Sequence, residues 1–94
     1  HFYTHVSKLI NPLSSLAYFG SYDNYTFSFY AHRPVITLSK KEDVHTFMSV
    51  QEERYLVLTE RNFKKFPEIP WKVKLKSEYS EHRSWGGYLL LCNQ

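Results

Sequence analysis

Apolar and polar positions change their period several times along this chain of 94 residues, and each change predicts an element. Phe2, Val6, Leu9 and Ile10 fall at helical spacing, so residues 2–10 should form an amphipathic helix that Asn11-Pro12 stops. Ser15–Phe19 is a short apolar run of strand length, ending at Gly20. Asp23 or Asn24 can cap a short aromatic helix reaching about His32. Arg33 precedes a proline, which biases it toward extended geometry and ends that helix. Pro34–Leu38 then reads as a second strand, with proline at its first position, where a missing donor is tolerated.

Ser39-Lys40-Lys41-Glu42 has the spacing of a capping box, in which the Ser39 hydroxyl and the Glu42 carboxylate each accept from the other's amide. It should open a helix carrying Val44, Phe47 and Met48, with Glu42 and Asp43 at the positive end of its dipole. Arg54–Thr59 follows, and its Tyr-Leu-Val-Leu centre is apolar without interruption, as suits a strand covered on both faces. Thr59 can cap a third helix running through Phe66 to Pro67. Trp71, Val73 and Leu75 alternate with Lys72, Lys74 and Lys76, so one face should be apolar and the other wet. After the polar stretch Ser77–Ser84, Gly86-Gly87 leads into the apolar run Tyr88–Cys92.

Strands alternating with helices predict parallel pairing through right-handed crossovers. The expected fold is therefore α/β: a single domain with one mainly parallel sheet flanked by helices, and an antiparallel C-terminal hairpin on one edge. The first three strands should be mutually parallel.

Composition narrows the function more than the fold. Hydrophobic residues at 43% and charged residues at 22% are those of an ordinary globular domain. Aromatics reach 18%, with eight Tyr and seven Phe, which predicts either a small core filled with bulky rings or a carbohydrate-binding or interfacial surface. The net charge of +3 is scattered among nine acids rather than gathered in a run, so no nucleic-acid partner is expected. No apolar run approaches the roughly 20 residues needed to span a bilayer. Cys92 is the single cysteine, which excludes an internal disulfide and a cysteine-based zinc cluster; in Tyr-Leu-Leu-Leu-Cys it reads as a small buried hydrophobe. The chain starts at His1 and its one methionine is Met48, which suggests a piece of something longer.

Three glycines, Gly20, Gly86 and Gly87, cannot build a dinucleotide fingerprint or a P-loop, and no nucleophile elbow or zinc-protease helix motif is present. No catalytic residue, metal site or cofactor is therefore expected in this domain. The strongest ligand candidates are Tyr22, Asp23, Asn24 and Tyr25, just beyond the C-terminal end of the first strand, where open α/β sheets tend to bind ligands. Asp23 and Asn24 can hydrogen-bond sugar hydroxyls while a tyrosine stacks on the ring; a capped turn with inward-packed aromatics explains the same residues. Arg33 can hold a phosphate or carboxylate bidentately, or be a surface residue before a strand. His45 reads as a surface residue beside Val44. His1 and His5, spaced i, i+4, lack further ligands nearby, and Glu78, Glu81, His82 and Arg83 read as a solvated loop. Lys72, Lys74 and Lys76 form the most ordered charge signal, either a guard against strand pairing at an edge or an attraction to anionic lipid headgroups and lipid-linked phosphate.

The strings Tyr18-Phe19-Gly20-Ser21-Tyr22, Ser28-Phe29-Tyr30 and Arg33-Pro34-Val35, followed by Glu42-Asp43 and Tyr55-Leu56-Val57-Leu58, together carry a resemblance. In this order and spacing they resemble the soluble C-terminal domain of membrane glycosyltransferases of the protein O-mannosyltransferase and lipid A aminoarabinose transferase superfamily. The resemblance implies an extracytoplasmic domain on the periplasmic face of a bacterial inner membrane, belonging to an enzyme that moves a sugar from a polyprenyl-phosphate carrier to an acceptor. It implies the membrane domain of the same polypeptide as partner, with contact to lipid-linked sugar or anionic headgroups, and a divalent metal in the parent enzyme. The family's catalytic carboxylates lie on loops of the membrane domain, so none maps onto a position here. Two other classes stay open: an independent sugar- or nucleotide-binding module using Tyr22–Tyr25, and a structural or protein-interaction domain.

Overall fold

The computed structural model describes residues 2–20, 34–66, 69–77 and 87–94. Within them the elements run α1 (Phe2–Leu9), β1 (Ser15–Phe19), β2 (Ile36–Leu38), α2 (Lys41–Met48), β3 (Arg54–Thr59), α3 (Glu60–Phe63), β4 (Lys72–Lys76) and β5 (Tyr88–Cys92). The strands form one five-stranded sheet in the order β2-β1-β3-β5-β4. β1 pairs in parallel with β2 and with β3, while β5 is antiparallel to both β3 and β4. The sheet is thus parallel on one side and closed by the anticipated antiparallel hairpin on the other. β4 points the same way as β1, β2 and β3, and β5 alone is reversed.

The central strands are buried on both faces, and this divides the core in two. Leu16, Tyr18, Tyr55, Val57, Leu90 and Cys92 point to one face, where α1 delivers Val6 and Ile10. Ala17, Phe19, Leu56, Leu58, Leu89 and Leu91 point to the other, covered by Val44, Phe47 and Met48 of α2 and by Phe66. The register agrees with this split: Tyr55 faces Cys92 and Leu56 faces Leu91, so directly opposed residues share a face.

Local chemistry sets the element ends. Asn11 Oδ1 accepts from the Leu13 amide at 2.9 Å, and Asn11 O accepts from the Ser14 amide at 3.0 Å, turning the chain out of α1 beside Pro12. Thr59 caps α3 as expected, its hydroxyl accepting from the Asn62 amide at 3.1 Å. That helix stops at Phe63 rather than Phe66. Two tight turns, Lys65 N to Asn62 O and Phe66 N to Phe63 O, both 3.0 Å, then carry Phe66 inward to meet the Phe19 ring edge-on at 5.3 Å.

Other expectations are corrected. The Ser39–Glu42 capping box does not form: the N-cap of α2 is Lys40, with no side-chain cap bond. The helix starts one residue too late for the box, which leaves Glu42 and Asp43 in the first turn to act through the dipole alone. Leu9 is 53% exposed, because the i, i+4 pair Val6 and Ile10 defines the buried side of α1. β2 begins at Ile36, two residues later than expected, and is an edge strand with Ile36 half exposed.

The largest correction concerns β4. Lys72 opposes Cys92 and Val73 opposes Leu91, but Leu75 opposes Leu90, so Lys74 sits in an irregularity of the ladder. One extra residue inverts the alternation that follows. Trp71 accordingly packs with the α2 face, while Leu75 packs with the α1 face. Lys72 and Lys76 oppose residues of opposite faces, so Lys72, Lys74 and Lys76 are exposed but do not form a row on one side.

Gly20 is required by a close approach. A Cβ there would lie 2.7 Å from Tyr18 Cε1, and Tyr18 is itself buried against the α1 face. Gly20→Ala is expected to cost about 1–3 kcal/mol by overpacking, and the double change Gly20→Ala/Tyr18→Leu to recover part of that loss, as read from urea unfolding midpoints.

Candidate functional sites at the two edges of the sheet

The C-terminal ends of β1, β2, β3 and β4 lie on one edge of the sheet, together with the start of β5. Gly20 N donates to Leu38 O at 3.1 Å, Glu60 N to Gly87 O at 2.9 Å, and Ser77 N to Tyr88 O at 2.9 Å. This rim therefore gathers Gly20, Ser39 and Thr59–Arg61, as the strand order requires. Its chemistry is partly committed: the Thr59 hydroxyl is used by the Asn62 amide, and Glu60 Oε1 meets Lys76 Nζ at 3.1 Å. Lys76 is well exposed while Glu60 Oε1 is itself covered, so the pair is anchored on the protein side and open to solvent through the lysine. Tyr22, Asp23, Asn24, Tyr25 and Arg33, which the sequence singles out, lie outside the described residues, as do Glu78, Glu81, His82 and Arg83. Among the described residues no group of three His, Cys, Asp or Glu side chains could hold a metal ion, and no helix is long and apolar enough to cross a membrane.

The opposite edge holds a groove that the sequence did not signal. It lies between the C-terminal end of α2 and the approach to β4, has a volume of about 380 Å³, and is lined by His45, Met48, Ser49, Ile69, Trp71 and Asn93, among others. His45, Phe66 and Trp71 form an aromatic trio, with centroids 5.6 Å apart for His45–Phe66 and His45–Trp71 and 6.1 Å for Phe66–Trp71. Lys41 Nζ stands 5.6 Å from the Phe66 centroid, within reach of a cation–π contact. His45 is exposed, as its sequence context suggested, but it is not isolated. Nothing local joins residues 45 and 71; they meet because Trp71 packs on the same face of the sheet as α2.

One side of the groove is held by Asn93. Its Nδ2 donates to Met48 O, Val50 O and Glu52 O at 3.1, 3.2 and 3.0 Å, so three carbonyls share two hydrogens. Its Oδ1 accepts from the Arg54 amide at 2.8 Å. The Arg54 guanidinium donates to Phe47 O at 3.1 Å and lies over the Phe47 ring, 4.7 Å from its centroid. Gln94 Nε2 donates to Gln51 O, and Ser49 Oγ to His45 O. These bonds satisfy carbonyls at the end of α2, such as those of Phe47 and Met48, and in the segment that leads from it to β3.

Beneath the same edge, Ser14 Oγ donates to Glu53 at 2.9 Å, and the Tyr55 phenol is hydrogen-bonded to Glu53 and Cys92. Burial pushes the Tyr55 phenol up to about 12, helped by the neighbouring Cys92 and Glu53. Cys92 is 1% exposed, so this thiol is a packing group, as its apolar context indicated.

No family model and no curated protein matches this chain. Two solved structures share its fold: ArnT from Cupriavidus metallidurans in the apo state, and ArnT from the same organism bound to undecaprenyl phosphate. Each aligns at a TM-score of 0.70 and 12% identity, over 99% of this chain and 19% of the ArnT chain. At that identity the likeness is one of fold, and this chain corresponds to a small part of the larger protein.

Two outcomes follow from this edge. Asn93→Ala should destabilise the fold by about 1–3 kcal/mol, with faster amide exchange at Arg54, measured by urea unfolding and hydrogen exchange. Because the folded pKa of Tyr55 lies above its ordinary 10.0, stability should be full below pH 10 and fall as pH rises through about 12. The loss attributable to the phenol is roughly 2–3 kcal/mol, and Tyr55→Phe should flatten the stability curve across that window.

Proposed function

We propose that this chain is an extracytoplasmic accessory domain of an integral membrane glycosyltransferase, and that the domain itself performs no chemistry. The observation that carries this reading is the extent of the fold match: nearly the whole chain, against a fifth of a membrane glycosyltransferase. The ordered strings from Tyr18 to Leu58 support the same parentage. One of the two ArnT structures holds undecaprenyl phosphate, which supports a polyprenyl-phosphate sugar donor for the parent enzyme. In this proposal the parent sits in a bacterial inner membrane with the domain on the periplasmic side, the catalytic carboxylates and any divalent metal belong to the membrane part, and the transferred sugar goes to an acceptor there.

The rim of strand C-terminal ends is proposed as the face turned toward the membrane domain or its lipid-linked substrate, with Tyr22, Asp23, Asn24, Tyr25 and Arg33 as contact residues. Oriented amides and helix N-termini favour phosphate and hydroxyl groups at such an edge. The competing face is the outer strand, where Lys72 and Lys74 are exposed and have no acidic partner among the described residues.

The full-length gene product should partition with membranes and transfer sugar from a polyprenyl-phosphate donor, whereas the purified chain of 94 residues should transfer none. Transfer by the isolated chain, or a full-length product without apolar spans, would overturn the reading. Within the full-length enzyme, Asp23→Ala/Tyr25→Ala should lower transfer by about tenfold or more through lost positioning. A loss confined instead to Lys72→Glu/Lys74→Glu/Lys76→Glu would move the working face to the outer strand.

A further inference from the structure

The groove at the opposite edge has a chemistry of its own. Its volume of about 380 Å³ falls in the range of small-ligand sites and exceeds what one sugar ring needs. The described lining contains no Lys, Arg, Asp or Glu. Among the described residues an anion would find no fixed positive partner in the lining, and a cation no carboxylate. What the lining does offer is apolar and polar surface side by side: Trp71, Ile69, Pro70 and Val50 together with His45 and Ser49.

The polar groups are only partly used. Ser49 Oγ spends its proton on His45 O and keeps lone pairs that can accept. The His45 ring is exposed and is held by its contacts with Phe66 and Trp71, leaving its nitrogens without a hydrogen bond among the described residues. Asn93, by contrast, is fully engaged with Met48, Val50, Glu52 and Arg54 and serves as a fixed wall. A rigid wall, an indole already oriented by two ring neighbours, and two open hydrogen-bonding groups form a site that needs little ordering on binding.

The geometry points to a binding site for a neutral saccharide, one pyranose ring resting its apolar face on Trp71 and directing hydroxyls to His45 and Ser49. A pyranose has one face of C–H groups and an edge of hydroxyls, which matches a groove whose described lining is uncharged and sets an indole beside polar groups. A phosphate, a nucleotide or an acidic peptide does not match it. The site lies at the edge away from Gly20, Ser39 and Thr59 and stands on the groove alone.

The test is a titration of the isotopically labelled chain with methyl α-mannopyranoside, methyl β-galactopyranoside and, separately, inorganic phosphate, followed by amide and indole NMR shifts. Saturable shifts at Ser49, Val50 and the Trp71 indole, with a Kd in the millimolar range, are the expected result with at least one glycoside. Trp71→Ala should weaken binding about tenfold or more, and His45→Ala by several-fold. His45 is exposed, so its variant keeps the fold even if loss of Trp71 does not, and Trp71→Phe should then retain measurable binding. Absence of saturable shifts with both glycosides up to about 100 mM would overturn the proposal. So would unchanged affinity in His45→Ala together with Trp71→Phe, or phosphate moving the same resonances as strongly as the glycosides.

Discussion

Leu56 and Leu58 on one face of β3, and Tyr55 and Val57 on the other, are all withdrawn from water, and such a strand is stable only inside a sheet with cover on both sides. β3 meets that condition between β1 and β5, which share its two-sided burial. The helices follow from it: α1 covers one face through Val6 and Ile10, and α2 with Phe66 covers the other. Strands with less apolar surface are displaced outward. β2, three residues long with Ile36 exposed, and β4, with three lysines, take the two edges.

That arrangement assigns different chemistry to the two ends of the sheet. At one end the strands hand over to helix starts, bringing amides and short polar side chains such as Ser39 and Thr59 to the surface. At the other, the last turn of α2 and the segment after it present carbonyls, and Asn93 and Arg54 occupy them. The groove beside Trp71 opens where this clasp leaves the helix and the approach to β4 apart. A carbonyl-rich end closed by neutral amides and one guanidinium differs from the rim in the ligands it favours, and the two proposals for this chain differ accordingly.

Much of the architecture was legible in the amino-acid sequence because burial leaves a direct imprint on it. The uninterrupted Tyr-Leu-Val-Leu run marked the central strand, Asn11-Pro12 the end of α1, and Thr59 the start of α3. What escaped were features set by a shift of a single residue. Ser39 and Glu42 have capping-box spacing, yet the helix begins at Lys41, so the box falls out of phase with the turn that would use it. The alternation in β4 reads as one wet face, yet an extra residue at Lys74 reverses it halfway, and no side-chain pattern announces a bulge. The groove was hidden for another reason. His45 and Trp71 are ordinary in their own neighbourhoods, and only the packing of α2 beside the start of β4 brings them together.

The position of β5 bears on how the molecule comes into being. Although β5 follows β4 in the chain, it is the strand that joins β4 to the rest of the sheet, because β4 has no other neighbour among the described residues. A nascent chain in which residues 88–92 have not yet emerged can pair β2, β1 and β3, but it leaves one side of β3 open and Lys72–Lys76 without a ladder. The sheet is therefore complete only once Tyr88–Cys92 lies between β3 and β4. Closure of this kind depends on contacts distant in sequence, which slows folding, and until it happens the apolar flank of β3 has no strand beside it.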